Sequence, residues 1–353
     1  MNTSNKTVNQ TNILYLSMII TYLAATLLVA LLTAAGTGIG AFASILLGEV
    51  VILIPVLIFL ILTKADLKSM IPLRRPRVST ILLSILFAFL IMPAAQWLNI
   101  ISQLFSENVA IDAVMSIMDE LPFLPTFMAV AVIGPLCEEL TFRGVIFSGL
   151  KRSGRIFASI ILSAVFFGLM HMNLNQLFYA FYLGICFALL TEATGSILPS
   201  FLCHFLINGY NTAMPYIASK LLDGLFEGGS DIFDEVAREG ISNSQILIAS
   251  FTYLIPAVIG LFLAALVFFK ICNIEGSSEH IYHILKLKRR ETERIMDKKD
   301  EPERTEAGNT AETPEIWYSP ESRQKVLTIP GYVAIGFCLL IIFFLKAVLD
   351  LIR

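Results

Sequence analysis

The sequence is short of charge. Asp, Glu, Lys and Arg make up 15% of its 353 residues, against about 25% in an ordinary soluble domain. These charges gather in a few short stretches and leave long apolar runs between them, which excludes a single soluble globular domain. Cysteine is scarce as well, with five residues and no Cys-x-x-Cys spacing. That odd number and spacing suggest neither a disulfide framework nor a zinc knuckle. The Gly-x-Ser-x-Gly pattern is missing, and Cys137 stands beside Glu138 rather than beside a histidine. Serine or cysteine nucleophile chemistry therefore has no motif to carry it. The net charge of −3 says less than its distribution, and nucleic acid is not an expected partner.

What the sequence does have is hydrophobicity: 56% of its residues are apolar. A run of about 18 or more such residues is long enough to cross a bilayer as a helix. Nine candidate spans follow, at about 13–35, 41–63, 79–101, 123–150, 156–172, 175–193, 196–218, 245–272 and 327–350. The first run is too long for the core of a secretory signal and is read as a retained helix. Three Asn-x-Ser/Thr sequons begin at Asn2, Asn5 and Asn9; in a stretch this rich in Asn and Thr they are read as chance. The expected fold is an all-α, polytopic transmembrane helix bundle. Its organisation is a bundle over 1–273 with the chemistry at about 79–218, a polar insert over 274–326, and a C-terminal span over 327–353.

Orientation follows from the bias of Lys and Arg toward the cytoplasmic side. The loop from Lys64 to Arg77 holds Lys64, Lys68, Arg74, Arg75 and Arg77, and Lys151, Arg152 and Arg155 mark a second basic turn two spans later. The acidic loops Ser106–Leu121 and Lys220–Gly240 fit the outside. The insert opens with a basic cluster from Lys286 to Lys299 and continues with an acidic, proline-bearing stretch. The basic part suits anionic headgroups and the acidic part reads as a solvated tether. Nine spans alternate correctly with these signs if the N-terminus is cytoplasmic and the C-terminus outside.

Ionisable groups inside a membrane are costly, so they face the bundle interior and usually serve function. The fourth span contains Glu138, Glu139 and Arg143, the fifth Phe167 and His171, and the seventh His204 and Asn208. Glu139 and Arg143 are four apart with the acid first, the favourable order for a helical ion pair, so Arg143 is expected to neutralise Glu139. Glu138 then points about 100° away around the helix and stays available. By helix rise Glu138 lies about 20 Å and His171 about 24 Å from the basic turn between their spans, depths that tilted helices can bring together. A carboxylate and a histidine can hold and deprotonate a water, directly or through a metal. A second histidine and an asparagine can donate hydrogen bonds to a developing oxyanion.

These residues resemble the CPBP family, the CAAX-protease and bacteriocin-processing (Abi) proteins. That family is marked by Glu-Glu-x-x-x-Arg, Phe-x-x-x-His and His-x-x-x-Asn on separate transmembrane helices. Here the three stand in order as Glu138-Glu139-x-x-x-Arg143, Phe167-x-x-x-His171 and His204-x-x-x-Asn208. The resemblance covers about 79–218. It implies an eight-helix core, with the last span as an addition, and an intramembrane metalloprotease or metal-free glutamate protease. It also implies that Glu138 and His171 activate the hydrolytic water, that His204 and Asn208 stabilise the oxyanion, and that Glu139, Arg143 and Phe167 support them. Glu138, His171 and His204 are candidate zinc ligands, a donor set suited to Zn2+. The implied substrate is a membrane-associated peptide or protein, and the expected location is a bacterial plasma membrane.

Blander readings stand beside these. Glu138 is a potential second partner for Arg143, His171 an interfacial residue, and His204 with Asn208 interhelical glue. Glu192 reads as a solvated helix end, and His280 and His283 as surface residues. A non-catalytic membrane scaffold that binds a partner protein or lipid is the alternative function, with 274–353 as the candidate surface for a membrane-protein partner. A transporter is disfavoured because no paired halves with broken helices are visible. A channel is disfavoured because no span is lined with polar residues along its length.

Overall fold

The computed structural model describes residues 3–106, 108–226, 228, 242–286 and 324–352. Among the described residues nine long helices carry it: α1 Thr3–Ala34, α2 Ala41–Thr63, α3 Val78–Ser102, α4 Phe123–Lys151, α5 Ile156–Met170, α6 Leu174–Thr194, α7 Leu198–Leu225, α8 Asn243–Glu275 and α9 Ile329–Ile352. Short helices at Leu67–Met70, Val109–Glu120 and Ser278–Ile284 connect them, and no strand occurs among the described residues. The architecture is the all-α helix bundle expected from the sequence.

Seven of these helices are long and apolar enough to cross a membrane, so the chain is read as a multi-pass integral membrane protein. The two others correct the expectation of nine equivalent spans. Helix α5 is only 15 residues long. Helix α7 has the length, but Ser200, His204, Asn208, Asn211 and Thr212 dilute its apolar character. Most of that polar set is turned into the bundle, where protein rather than lipid surrounds it. The acidic loop after α3 holds the helix Val109–Glu120, and α1 begins at Thr3, ten residues before the apolar run. Most of the insert, 287–323, lies outside the described residues, as do 229–241 of the second acidic loop.

The ends of α1 and α9 meet. Asn12 is buried and its side-chain amide donates to the carbonyls of Val8 and Val326. Tyr15 stacks on Phe166 of α5 with ring centroids 3.8 Å apart, and its hydroxyl donates to the Phe166 carbonyl at 3.0 Å. The last helix thus packs, through α1, around the helix that carries Phe167 and His171. Helices α5 and α6 approach closely at Gly184, where a Cβ would stand 2.9 Å from Ala164 Cα. Only a residue without a side chain allows that approach.

At the end of the bundle bearing the basic loop, two buried carboxylates tie elements together. Glu275 accepts from the Arg77 backbone N–H at 3.0 Å and from the Thr80 hydroxyl, and pairs with Arg74. Glu192, expected as a solvated helix end, is buried instead: its side chain is 4% exposed and pairs with Lys151 and His280. The Lys151 ammonium and the His280 ring converge on it from the end of α4 and from the helix Ser278–Ile284, which offsets the cost of burying the carboxylate.

Candidate active site

Helix α4 is not a regular α-helix. Its turns at Met128–Ile133 and Leu140–Ile146 are π-helical and enclose a short α-helical stretch, Gly134–Glu139. Pro135 at the start of that stretch has no N–H to continue the ladder, and π turns often occur at functional sites. The Val130 carbonyl in the first π turn accepts a hydrogen bond from Asn208 Nδ2 at 3.1 Å. The irregular backbone thereby fixes one motif side chain.

Glu138 and Glu139 lie on different faces of the stretch. Glu139 and Arg143 are fully buried, with side-chain exposures of 0% and 1%, and meet at 2.9 Å. The contact is one of charge rather than of aligned hydrogen bonds, since the guanidinium nitrogens find no well-directed acceptor among the described residues. Two aromatic faces cover the guanidinium instead, Phe167 at 4.3 Å and Phe187 at 5.0 Å. Their π-systems attract a desolvated cation, which gives Phe167 a physical role. The same ring meets His171 edge-on at 5.1 Å and His204 at 5.8 Å.

Glu138 is 17% exposed and lines a cavity of about 410 Å³ together with Phe167, His171, His204 and Asn208. Its Oε2 lies 3.4 Å from His204 Nε2, while His204 Nδ1 lies 3.1 Å from Glu139 Oε1. One imidazole therefore bridges the two adjacent glutamates. His171 stands at the C-terminal cap of α5, with Nδ1 2.9 Å from the Phe167 carbonyl. A carbonyl can only accept, so Nδ1 carries the hydrogen and Nε2 of the neutral ring is left as an acceptor. The chain then reverses through Met172 at φ 49° into α6, whose first turn is capped by Asn173 accepting from the Gln176 N–H at 3.0 Å.

The donors do not complete a zinc site as they stand. Glu138 and His204 face each other, but among the described residues no group of three or more His, Cys, Asp or Glu side chains is gathered around one point. A catalytic zinc ion takes three protein ligands, and the described side chains do not gather three.

Sequence reasoning missed Glu49. It is the sole charged residue of α2, and by the rule that intramembrane charge marks function it was there to be found. Its Oε1 lies 3.2 Å from where a Cβ on Gly134 would stand. Gly134 precedes Glu138 by one helical turn and shares its face, so the missing side chain makes room for a second carboxylate beside the first. Glu49 Oε2 is buried with no hydrogen-bond partner among the described residues.

Comparisons with known proteins fall on this region. Residues 120–210 match the family model described as Type II CAAX prenyl endopeptidase Rce1-like. That segment includes all three motifs and is shorter than the 79–218 expected. The protein named "Putative membrane peptidase YdiL" of Bacillus subtilis (strain 168) is 28% identical over 109 residues, which are 31% of this chain and 43% of the relative. The chain thus spans less than half the length of that relative. No solved structure matches. The two matches bear out the resemblance to the CPBP, or CAAX-protease, family.

Proposed function

We propose, from the CAAX-protease resemblance of residues 120–210, that this chain is an intramembrane endopeptidase that hydrolyses a peptide bond in a membrane-associated peptide or protein. The observation that carries the reading is the meeting of Glu138, His171, His204 and Asn208, from three helices, on one cavity.

The chemistry runs through these side chains. A water beside Glu138 gives a proton to its carboxylate, or to the open Nε2 of His171, as the water oxygen adds to the scissile carbonyl carbon. The carbonyl electron pair moves onto oxygen. Asn208 has a second amide hydrogen beyond the one given to Val130, and His204 Nε2, 3.4 Å from Glu138, is the other donor at the cavity wall when the ring carries both hydrogens, Nδ1 giving its own to Glu139. These two hold the oxyanion. Collapse of the intermediate breaks the C–N bond, and the proton taken up by Glu138 or His171 passes to the leaving nitrogen. Glu139 orients His204 through Nδ1, and Arg143 balances Glu139.

The membrane is the bacterial plasma membrane in this reading, with the N-terminus cytoplasmic and the C-terminus outside. The polar insert and α9 remain the surface for a membrane-protein partner. The test compares membrane and secreted proteomes of cells carrying wild type or Glu138→Ala at matched protein levels. A peptide or membrane protein cut only with wild type supports the protease. Identical profiles, with Glu138→Ala rescuing a deletion phenotype, overturn it in favour of a scaffold.

A further inference from the structure

The cavity extends well past the catalytic set. Along α7 its lining runs from His204 to Pro215, about 16 Å of helix rise. This arm carries carboxamides from three helices: Gln96 and Asn99 on α3, Gln176 on α6 and Asn211 on α7. Gln96 Nε2 donates to Asn211 Oδ1 at 2.9 Å, tying α3 to α7. Asn99 Oδ1 accepts from Asn175 Nδ2 at 2.9 Å, which holds its side chain against α6. Among the described residues this leaves Gln96 Oε1 as an open acceptor, the amide nitrogens of Asn99 and Asn211 as open donors, and the Gln176 side chain with no hydrogen bond. The described lining includes no Lys, Arg or Asp.

Such a row matches one kind of ligand. A peptide segment reaches a hydrolytic centre only after it leaves its own helix, and unwinding strips its N–H and C=O groups of partners. Unsatisfied backbone groups are costly away from water. A carboxamide both donates and accepts, so it can meet either group. Asn211 follows His204 by seven residues, about 10 Å along the helix, which corresponds to about three residues of extended chain. We propose that Gln96, Asn99, Gln176 and Asn211 form a backbone-binding subsite for an unwound, uncharged peptide segment that lies to one side of the scissile bond. The described lining offers no Lys or Arg to pair with a free terminal carboxylate, so the segment held by these carboxamides is uncharged. The inference rests on the endopeptidase reading of the same cavity.

The test measures binding without turnover, on the full chain as Glu138→Gln in lipid nanodiscs. Three photoreactive probes share the sequence Leu-Ala-Leu-Ala and an N-terminal benzophenone: one amide-capped, one capped with an N-methylated backbone, and one with a free C-terminal carboxylate. The capped probe is expected to label saturably. N-methylation should raise its half-saturation concentration about tenfold, since each backbone hydrogen bond is worth about two- to tenfold in affinity. The free carboxylate should bind more weakly than the cap. Adding Gln96→Leu with Asn211→Leu should cost about tenfold for the capped probe and leave the N-methylated one unchanged. Gln176→Leu, on another helix, is the independent variant if the double variant does not fold. Equal binding of capped and N-methylated probes, or tighter binding of the carboxylate, overturns the subsite. Absence of any cleavage by wild type would overturn the protease reading while this binding pattern stayed readable.

Discussion

His204 Nδ1 lies 3.1 Å from Glu139 Oε1 across 65 residues of chain, so the third motif is fastened to the first by a buried contact. Glu139 also faces Arg143 at 2.9 Å. Glu139→Gln leaves the guanidinium buried without a counter-charge, and breaking a buried pair costs about 3–5 kcal/mol. The expected outcome is a large drop in the thermal midpoint of the purified protein. Glu139→Leu with Arg143→Leu should regain most of that stability but not activity, because His204 still lacks its Nδ1 partner. Equal recovery of both would mean that Glu139 acts only as a counter-ion.

Phe167 touches Arg143, His171 and His204 at once. Phe167→Leu keeps an apolar volume but removes the ring face, whose attraction for a desolvated cation is worth about 2 kcal/mol. Turnover should fall about tenfold or more with KM little changed, in steady-state kinetics on the natural substrate. Unchanged turnover would assign Phe167 to packing alone.

Gly134 makes room for Glu49 beside the catalytic stretch. Gly134→Ala sets a methyl 3.2 Å from Glu49 Oε1 and should slow turnover several-fold. Combining it with Glu49→Ala should not add the two single effects, because residues in contact couple by about 0.5–3 kcal/mol. A double-mutant cycle on turnover measures that coupling, and strict additivity would remove Glu49 from the site.

Tyr15 supports the His171 helix from outside the cavity. Tyr15→Phe deletes the 3.0 Å hydrogen bond to the Phe166 carbonyl and should cost about 1 kcal/mol of stability with turnover preserved. Thermal unfolding and kinetics on the same preparation separate the two effects.

Only Glu138 and His204 are seen facing each other as donors, and no set of three forms among the described residues. Activity is therefore expected to survive prolonged 1,10-phenanthroline treatment followed by desalting. Loss that zinc restores would require a rearranged, metal-bound site.

The all-helical class was legible because apolar run length alone specifies a membrane helix. So were the three motifs, since Glu138, His171 and His204 break apolar runs that have no other reason to contain them. What the sequence hid was depth and facing. Helix α7 looks like one more span in the sequence, yet Ser200, His204 and Thr212 are buried in the bundle and its polar residues leave it less apolar than the others. Glu192 sits at a helix end, where solvation is the default, but Lys151 and His280 reach it from elements distant in sequence. The π turns of α4 leave no trace in the hydrophobic periodicity of the sequence. Glu49 is a charge in an apolar run, but no spacing ties it to the motifs.

The most direct measurement uses proteoliposomes that contain only the purified chain and the substrate identified by the proteome comparison, run in 18O-labelled water. Wild type is expected to cut one bond and place a single labelled oxygen in the new carboxyl group, while Glu138→Gln leaves the substrate whole. A substrate left intact by pure wild type, or cut equally by Glu138→Gln, would contradict hydrolysis at this cavity.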